Sequence, residues 1–183
     1  MGYAVARAAA MRGADVTLIH GPTALPPVKF TEDVPITTAQ DMYEAVTSRF
    51  ADMDILVMAA AVADYRPATV ADDKIKKKDG DLSIPVERTA DILGTIGPRK
   101  TKQFLCGFSM ETRDMVENSA AKLKKKNLDM VVANNLKVSG AGFGVDTNVV
   151  TFITPDGTRE LPLMSKADVA DAILDEILKR RGH

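Results

Sequence analysis

Short apolar runs alternate along this chain with segments whose apolar residues recur at helical spacing. Apolar runs of strand length that lack polar alternation are typical of parallel strands buried on both faces. The pattern predicts such strands over residues 14–22, 54–62, 103–111 and 128–135. It predicts helices over residues 2–12, 37–50, 90–97, 112–126 and 165–181.

The remaining segments are rich in turn residues or form short extended stretches. Four prolines predict a loop over 22–35, and glycines predict another over 138–148. The stretch LSIPVE (82–87) indicates a small extended element, and the sequences VVTFIT and TRELPL flank a Pro-Asp-Gly turn that predicts a hairpin. Strands that alternate with helices predict an α/β fold, here a Rossmann-like, mainly parallel sheet flanked by helices with a small antiparallel extension.

The first predicted helix begins at residue 2, with no strand before it. In a Rossmann-like unit, a strand and a glycine-rich phosphate loop precede such a helix. We therefore expect this first strand and its phosphate loop to be missing from the chain. A fold that simply begins with a helix is the alternative. The length of 183 residues favours one domain over 1–183.

Composition excludes several classes of protein. The chain is 45% hydrophobic and 27% charged, which is ordinary for a globular protein. It has 24 basic and 25 acidic residues, and this balance argues against nucleic-acid or membrane-surface binding. A single cysteine and two histidines exclude a disulfide and a metal centre built from these residues. A lone thiol fits the cytoplasm, and no apolar run is long enough to span a bilayer.

Ligands of open parallel sheets bind at the carboxyl ends of the strands, which directs attention to AAVADY (60–65). The small residues Ala60 and Ala61 would let a ligand approach the backbone, and Asp64 could hold a ribose hydroxyl or a metal ion. The alternative is a plain strand end with a solvated aspartate. Phe108, in another strand, could stack on a nucleotide base or simply pack in the core.

Two lysine clusters suggest a polyphosphate ligand, since lysine serves as a mobile point charge for phosphate. The clusters comprise Lys74, Lys76, Lys77 and Lys78, and Lys122, Lys124, Lys125 and Lys126. A solvated loop and the basic end of a helix are the alternatives. Other residues suggest less chemistry: Cys106 is expected to be an inert buried thiol, and His20 a packed or capping residue. The chain has no GxGxxG, no Walker A motif and no Tyr-x-x-x-Lys.

Four segments in a fixed order give the chain a family resemblance. They are AAAVADYRPATVADDKIKKK (59–78), GFSMET (107–112), AKLKKKNLDMVVANN (121–135) and GFGVDTN (142–148). Together they resemble phosphopantothenoylcysteine synthetase, also called phosphopantothenate–cysteine ligase. In bacteria this enzyme is usually the C-terminal half of a bifunctional coenzyme A biosynthesis flavoprotein that also holds a flavin-dependent decarboxylase.

The resemblance implies a CTP-dependent, Mg²⁺-requiring ligation of 4′-phosphopantothenate with L-cysteine through an acyl-cytidylate. It also implies a cytoplasmic homodimer with residues 66–88 as a dimerisation and lysine-loop extension, and no FMN site in this part of the protein. The family's nucleotide-binding residues correspond here to Ala60, Ala61, Asp64, Lys74, Ala90, Asp91, Ile92, Leu93, Phe108, Lys122 and Lys126. Lys74, Lys76 and Lys77 correspond to the lysine motif tied to catalysis.

Two departures from the family bear on activity. Thr89-Ala90 stands where the family has Asn-Pro, which softens the turn before Asp91. The chain also begins where the family's phosphate loop would be ending, so the catalytic asparagine of that loop is absent. We therefore expect weak or no activity from this chain alone. The alternatives are a non-catalytic nucleotide-binding fragment and an NAD(P)-binding oxidoreductase.

Overall fold

The structure is a computed structural model that describes residues 1–76, 83–111, 115–135, 142 and 144–182. The helices are α1 (Gly2–Met11), α2 (Ala39–Arg49), α3 (Ile92–Ile96), α4 (Met115–Lys125) and α5 (Lys166–Arg181). Single 3-10 turns lie at Phe50–Asp52 and Gly97–Arg99. The strands are β1 (Thr17–His20), β2 (Glu32–Pro35), β3 (Ile55–Met58), β4 (Tyr65–Pro67), β5 (Val86–Arg88), β6 (Phe104–Glu111), β7 (Met130–Asn135), β8 (Thr147–Asn148), β9 (Val150–Thr154), β10 (Gly157–Glu160) and β11 (Met164–Ser165).

A five-stranded sheet in the order β10-β9-β7-β6-β3 forms the centre of the molecule. The strands β3, β6 and β7 are parallel, whereas β9 and β10 are antiparallel to their neighbours. The apolar run Met130–Ala133 is fully buried in β7, as expected for a central strand covered on both faces. The parallel strands predicted over 54–62, 103–111 and 128–135 are thereby confirmed, as is the terminal hairpin.

Three two-stranded pairs accompany this sheet. The strands β1 and β2 pair in parallel, and β8 pairs with β11. The strands β4 and β5 form an antiparallel ribbon, called the β4–β5 ribbon below. The ribbon is the small antiparallel extension predicted from the sequence. In the part of the chain that the structure describes, no helix is long and apolar enough to cross a membrane.

Helices cover both faces of the central sheet because consecutive residues of a strand point to opposite faces. Along β7, Met130 and Val132 pack into one core with α1 and α5, while Val131 and Ala133 pack into another with α2, α3 and α4. This three-layer arrangement confirms the predicted α/β class with a mainly parallel sheet flanked by helices.

Two helices begin at residues whose side chains cap them. Thr38 caps α2, and its hydroxyl accepts a hydrogen bond from the Asp41 N–H at 3.1 Å. Ser165 caps α5 and accepts from the Asp168 N–H at 3.1 Å. Each cap satisfies a backbone donor that the first helical turn leaves unpaired.

The predicted loops were wrong in part. Residues 32–35, expected to be loop because of their prolines, form β2 in parallel register with β1. Pro35 is tolerated because it ends β2, which is an edge strand of a two-stranded sheet among the described residues. Within the predicted loop 138–148, Thr147 and Asn148 pair with β11. The rest of that loop is described only at residues 142 and 144–146.

Candidate functional site

A cleft of about 410 Å³ lies where the parallel strands β3 and β6 present their carboxyl ends. This is the edge of an α/β sheet at which ligands bind, and the volume suits a small-molecule site. The cleft is lined by Met58, Ala60, Val62, Ala63, Asp64, Tyr65, Arg88, Thr89, Ala90, Asp91, Ile92, Leu93, Phe108, Lys122 and Lys126.

Thr89 fastens the two sides of the cleft mouth to each other. Its hydroxyl donates a hydrogen bond to the Ala63 carbonyl oxygen, and its N–H donates to the Asp64 carbonyl oxygen at 3.0 Å. These contacts join the segment that follows β3 to the segment that follows β5. The Asp64 side chain, which is exposed, is therefore carried on a backbone held in place by Thr89.

The short helix α3 forms one wall of the cleft. Asp91 is its N-cap, and Oδ1 of its carboxylate accepts a hydrogen bond from the Gly94 N–H at 2.9 Å. Ile92 and Leu93 are buried in the core shared by α2, α3 and α4, so the helix is anchored by its apolar side. The exposed Ala90 precedes the cap at the rim of the cleft.

The end of α4 brings two lysines into the cleft. Lys122 lies in the last turn of α4, and Lys126 directly follows the helix, with its N–H donating to the Lys122 carbonyl oxygen at 3.0 Å. The two residues stand four positions apart on one face, and both are half-buried. The Lys122 ammonium donates to the Phe108 carbonyl oxygen at 2.7 Å, and the Lys126 ammonium pairs with Asp91 Oδ1 at 2.9 Å. Lys124 and Lys125 are exposed and lie outside the cleft.

A close backbone approach fixes where α4 ends. Asn127 adopts a left-handed conformation, with φ of 51°, and Leu128 N–H donates to the Leu123 carbonyl oxygen at 2.9 Å, as in a Schellman cap. The Asn127 amide also donates to the Gly97 carbonyl oxygen at 2.9 Å. A Cβ at Gly97 would lie 2.0 Å from the Lys126 carbonyl oxygen, so only glycine admits this contact.

The surroundings of Asp91 lower the pKa of its carboxyl group. Partial burial acts to raise the pKa of its carboxyl group. Hydrogen bonds from the Lys126 ammonium and the Gly94 N–H outweigh that effect, with added attraction from Lys122, and the pKa lies below its ordinary value. At neutral pH the cleft therefore holds an ionised carboxylate against one of its lysines.

Comparison with known proteins identifies the family. The family model described as the DNA/pantothenate metabolism flavoprotein C-terminal domain matches residues 1–180. The chain belongs to this family. It is 50% identical over 179 residues, 97% of its length, to the coenzyme A biosynthesis bifunctional protein CoaBC of Bacillus subtilis. It spans 44% of the length of that relative.

Solved structures agree with this family assignment. The crystal structure of the C-terminal domain of a CoaBC protein matches with a TM-score of 0.81 and 44% identity, covering 97% of this chain and 82% of the other. A Cab2 mutant in complex with phosphopantothenate-cysteine matches with a TM-score of 0.67 at 20% identity, covering 84% of this chain and 54% of the other. At that identity the second likeness concerns the fold alone.

The cleft gathers most of the residues that the family resemblance selected. All of the expected nucleotide-binding residues line it except Ala61 and Lys74. Ala61, Lys74 and Lys76 are exposed and lie outside the cleft, and Lys77 falls outside the described residues. Phe108 is half-buried against the core and also lines the cleft, and its stacking on a nucleotide base stays a prediction.

The wall formed by the β4–β5 ribbon was missed from the sequence. Tyr65 and Arg88 stand opposite each other in the ribbon and both line the cleft. To identify Tyr65 and Arg88 from the sequence, one would need the pairing register of β4 and β5. One short alternating stretch of sequence does not reveal that register. Thr89 was noted only as a departure from the family, yet its hydroxyl holds the two sides of the cleft mouth together by a hydrogen bond to the Ala63 carbonyl oxygen.

Two residues that lie outside the cleft behave as expected. Burial raises the pKa of the Cys106 thiol well above its ordinary value, so the group is a protonated, unreactive part of the core. His20 ends β1, where its Nδ1 donates to the Gly21 carbonyl oxygen at 2.8 Å. Its ring packs edge to face against that of Tyr3.

Proposed function

We propose that the cleft binds CTP and that, as part of a longer protein, the chain serves the ligation of 4′-phosphopantothenate with L-cysteine to 4′-phosphopantothenoylcysteine. The observation that supports this proposal most strongly is that Lys122 and Lys126 both line a cleft at the carboxyl edge of the sheet. Two half-buried ammonium groups one helical turn apart suit a polyphosphate. Membership of a pantothenate-metabolism family, with a CoaBC relative at 50% identity, supports the choice of reaction.

The chemistry requires positioning and charge neutralisation more than covalent catalysis. The carboxylate of 4′-phosphopantothenate attacks the α-phosphorus of CTP, forming an acyl-cytidylate and expelling pyrophosphate. The amine of cysteine then attacks the acyl carbon, loses its proton and expels CMP. Lys122 and Lys126 would neutralise the phosphates, and Phe108 would offer a ring edge or face to the cytosine.

The lysine loop has a separate role in this proposal. Lys74 and Lys76 are exposed and lie in the segment that follows β4. We propose that these lysines, with Lys77, close over the bound nucleotide and shield the mixed anhydride from water. Lys74 would contact the nucleotide, while Lys76 and Lys77 would act during ligation.

Magnesium would enter the cleft with the nucleotide. Among the described residues, no group of three or more metal-binding side chains occurs. Mg²⁺ is commonly bound by one or two carboxylates together with substrate phosphates, so the exposed carboxylate of Asp64 on the cleft wall fits this role. When bound, the ion would neutralise charge that develops on the departing pyrophosphate.

The proposal extends to the assembly. Residues 66–76 and 83–88, the described parts of the segment 66–88, expose large apolar side chains, with Val70 88% and Ile84 60% exposed, as expected for a surface that a second copy covers. We propose a cytoplasmic homodimer formed through this segment, in a longer protein that also carries the flavin-dependent decarboxylase; FMN would bind there and not in this chain. Sedimentation velocity of the chain should give a dimer mass, and a monomer mass would refute this part.

The test combines binding with turnover. The chain is titrated with Mg²⁺–CTP and with NADP⁺, and pyrophosphate is measured after 4′-phosphopantothenate and then cysteine are added. Binding of CTP with pyrophosphate release supports the ligase. Binding of CTP without release favours the non-catalytic nucleotide-binding fragment. Binding of NADP⁺ but not CTP would overturn the proposal in favour of the oxidoreductase.

A further inference from the structure

The structure assigns a phosphate-binding role to Arg88, a residue outside both lysine clusters; this inference rests on the proposed function of the cleft. Arg88 is the third cation of the cleft wall, beside Lys122 and Lys126. It comes from the β4–β5 ribbon, so it approaches the cleft from a different element than the two lysines of α4.

The register of the ribbon selects Arg88 from its neighbours. Tyr65 pairs with Arg88, and the next pair along is Arg66 with Glu87. Consecutive residues of a strand point to opposite faces, so these two pairs lie on opposite faces of the ribbon. Tyr65 and Arg88 line the cleft, whereas Arg66 and Glu87 do not.

The two arginines of the ribbon also differ in their partners. The Arg66 guanidinium is neutralised by Glu87, with Nε 2.7 Å from Oε1. Among the described residues, no carboxylate lies within ion-pair distance of Arg88. Its guanidinium carbon instead lies 5.7 Å from the centroid of the Tyr65 ring. Stacking on an aromatic ring orients a guanidinium and leaves its N–H donors available.

A phosphate is the ligand chemistry that this arrangement fits best. A guanidinium presents a planar fork of donors that matches two oxygens of a phosphate, and the pair gains both charge and geometric selectivity. The proposed reaction brings two sources of phosphate to the cleft, the polyphosphate of CTP and the 4′-phosphate of phosphopantothenate. The inference concerns the shared group, and the experiment separates the sources.

Binding is measured by titration calorimetry for the wild-type chain, Arg88→Gln and the matched control Arg66→Gln. The ligands are Mg²⁺–CTP, cytidine, 4′-phosphopantothenate and pantothenate. The control removes the same charge from the same ribbon, but on the face away from the cleft. We expect Arg88→Gln to weaken the binding of one of the two phosphorylated ligands by about tenfold or more. Arg66→Gln should bind each ligand within about twofold of wild type, with sedimentation velocity showing that its assembly is unchanged.

Three further variants test the donor fork of the Arg88 guanidinium and the aromatic ring of Tyr65. Arg88→Lys keeps the charge and should recover only part of the affinity. Tyr65→Leu removes the aromatic ring and should weaken binding of the same ligand, and Tyr65→Phe, which keeps the ring, should weaken that binding less. The phosphorylated ligand that loses affinity identifies the source of the phosphate.

The outcomes distinguish this inference from the function on which it rests. If the wild-type chain binds CTP but Arg88→Gln binds every ligand within about twofold of it, the role of Arg88 is refuted and the proposed function stands. An equal loss for cytidine or pantothenate, which lack phosphate, also refutes phosphate recognition. If the wild-type chain binds neither phosphorylated ligand, both the proposed function and this inference fall.

Discussion

Oδ1 of Asp91 lies 2.9 Å from the Lys126 ammonium and accepts a hydrogen bond from the Gly94 N–H at the same distance. One carboxylate oxygen therefore caps α3 and joins it to the end of α4. This contact couples the stability of the cleft wall to the position of a lysine that the proposed function assigns to phosphate. A ligand that draws the Lys126 ammonium away from Asp91 leaves the carboxylate with its hydrogen bond from the Gly94 N–H, which caps α3.

Replacement of Asp91 should separate the two roles of its carboxylate. Asp91→Ala removes both the cap and the ion pair, and it should lower the free energy of unfolding by about 1–2 kcal/mol. Asp91→Asn keeps an oxygen acceptor for Gly94 and should cost less, because the side chain is 54% exposed and such an ion pair contributes under about 1 kcal/mol. Urea denaturation measures both values. Equal losses for the two variants would show that the cap contributes nothing.

The two half-buried lysines of α4 should matter more for nucleotide binding than the two exposed ones. Lys122→Gln and Lys126→Gln should each weaken CTP binding by about tenfold, since each removes a charge directed at the phosphates. Lys125→Gln, on the same helix but outside the cleft, is the matched control and should stay near wild type. Titration of Mg²⁺–CTP into each variant measures the effect. A loss as large in the control would mean that the overall basic charge, and not the cleft, binds the nucleotide.

Gly97 should tolerate no side chain. Gly97→Ala places a Cβ against the Lys126 carbonyl oxygen, so the end of α4 must shift, at a cost of about 1–3 kcal/mol in the free energy of unfolding. Because Lys126 moves with that backbone, CTP binding should weaken as well. Gly21→Ala is the control, since no atom lies within 4 Å of its added Cβ. Denaturation and titration of both variants give the comparison, and an unperturbed Gly97→Ala would contradict the observed packing.

His20 should make stability depend on pH near neutrality. Its pKa is raised, first by the hydrogen bond to the Gly21 carbonyl and also by Asp33, whose Oδ1 lies 3.1 Å from Nε2; burial opposes the shift. The protonated form is thus favoured in the folded state. Its stabilisation is fully present below the ordinary pKa of 6.5 and is lost as the pH rises through the raised folded value.

The variant His20→Gln isolates this contribution. The difference between wild type and variant in the free energy of unfolding should fall as the pH rises from about 6 to about 8. Taking the difference removes the effects of other groups that titrate in this range, such as the N-terminal amine. A constant difference across the range would mean that His20 has the same pKa in the folded and unfolded states.

Much of the fold followed from the sequence because its decisive elements are local. Uninterrupted apolar residues indicated β7, and the helical spacing of apolar residues indicated α2 and α5. The strand β2 was missed because prolines argue against strands, and its pairing with β1 depends on residues 15 positions away. Such pairing is a tertiary effect that local composition does not encode.

The site could be predicted where a family motif selected its residues. The motif AKLKKKNLDMVVANN selected Lys122 and Lys126, and the structure places both in the lining of the cleft. Arg88 could not be assigned in this way, because its position depends on the register of the β4–β5 ribbon. The Asp91–Lys126 contact joins residues 35 positions apart and needs the packing of α3 against the end of α4.

The most direct test of the account is a crystal structure of the chain grown with Mg²⁺ and CTP. We expect difference density for the nucleotide in the cleft between α3 and α4. Its phosphate oxygens should lie within hydrogen-bonding distance of the Lys122 and Lys126 ammonium groups. A phosphate oxygen should also join or replace Asp91 as an anionic partner of the Lys126 ammonium. A nucleotide bound elsewhere on the molecule, or a cleft that stays empty at saturating CTP, would contradict the central claim.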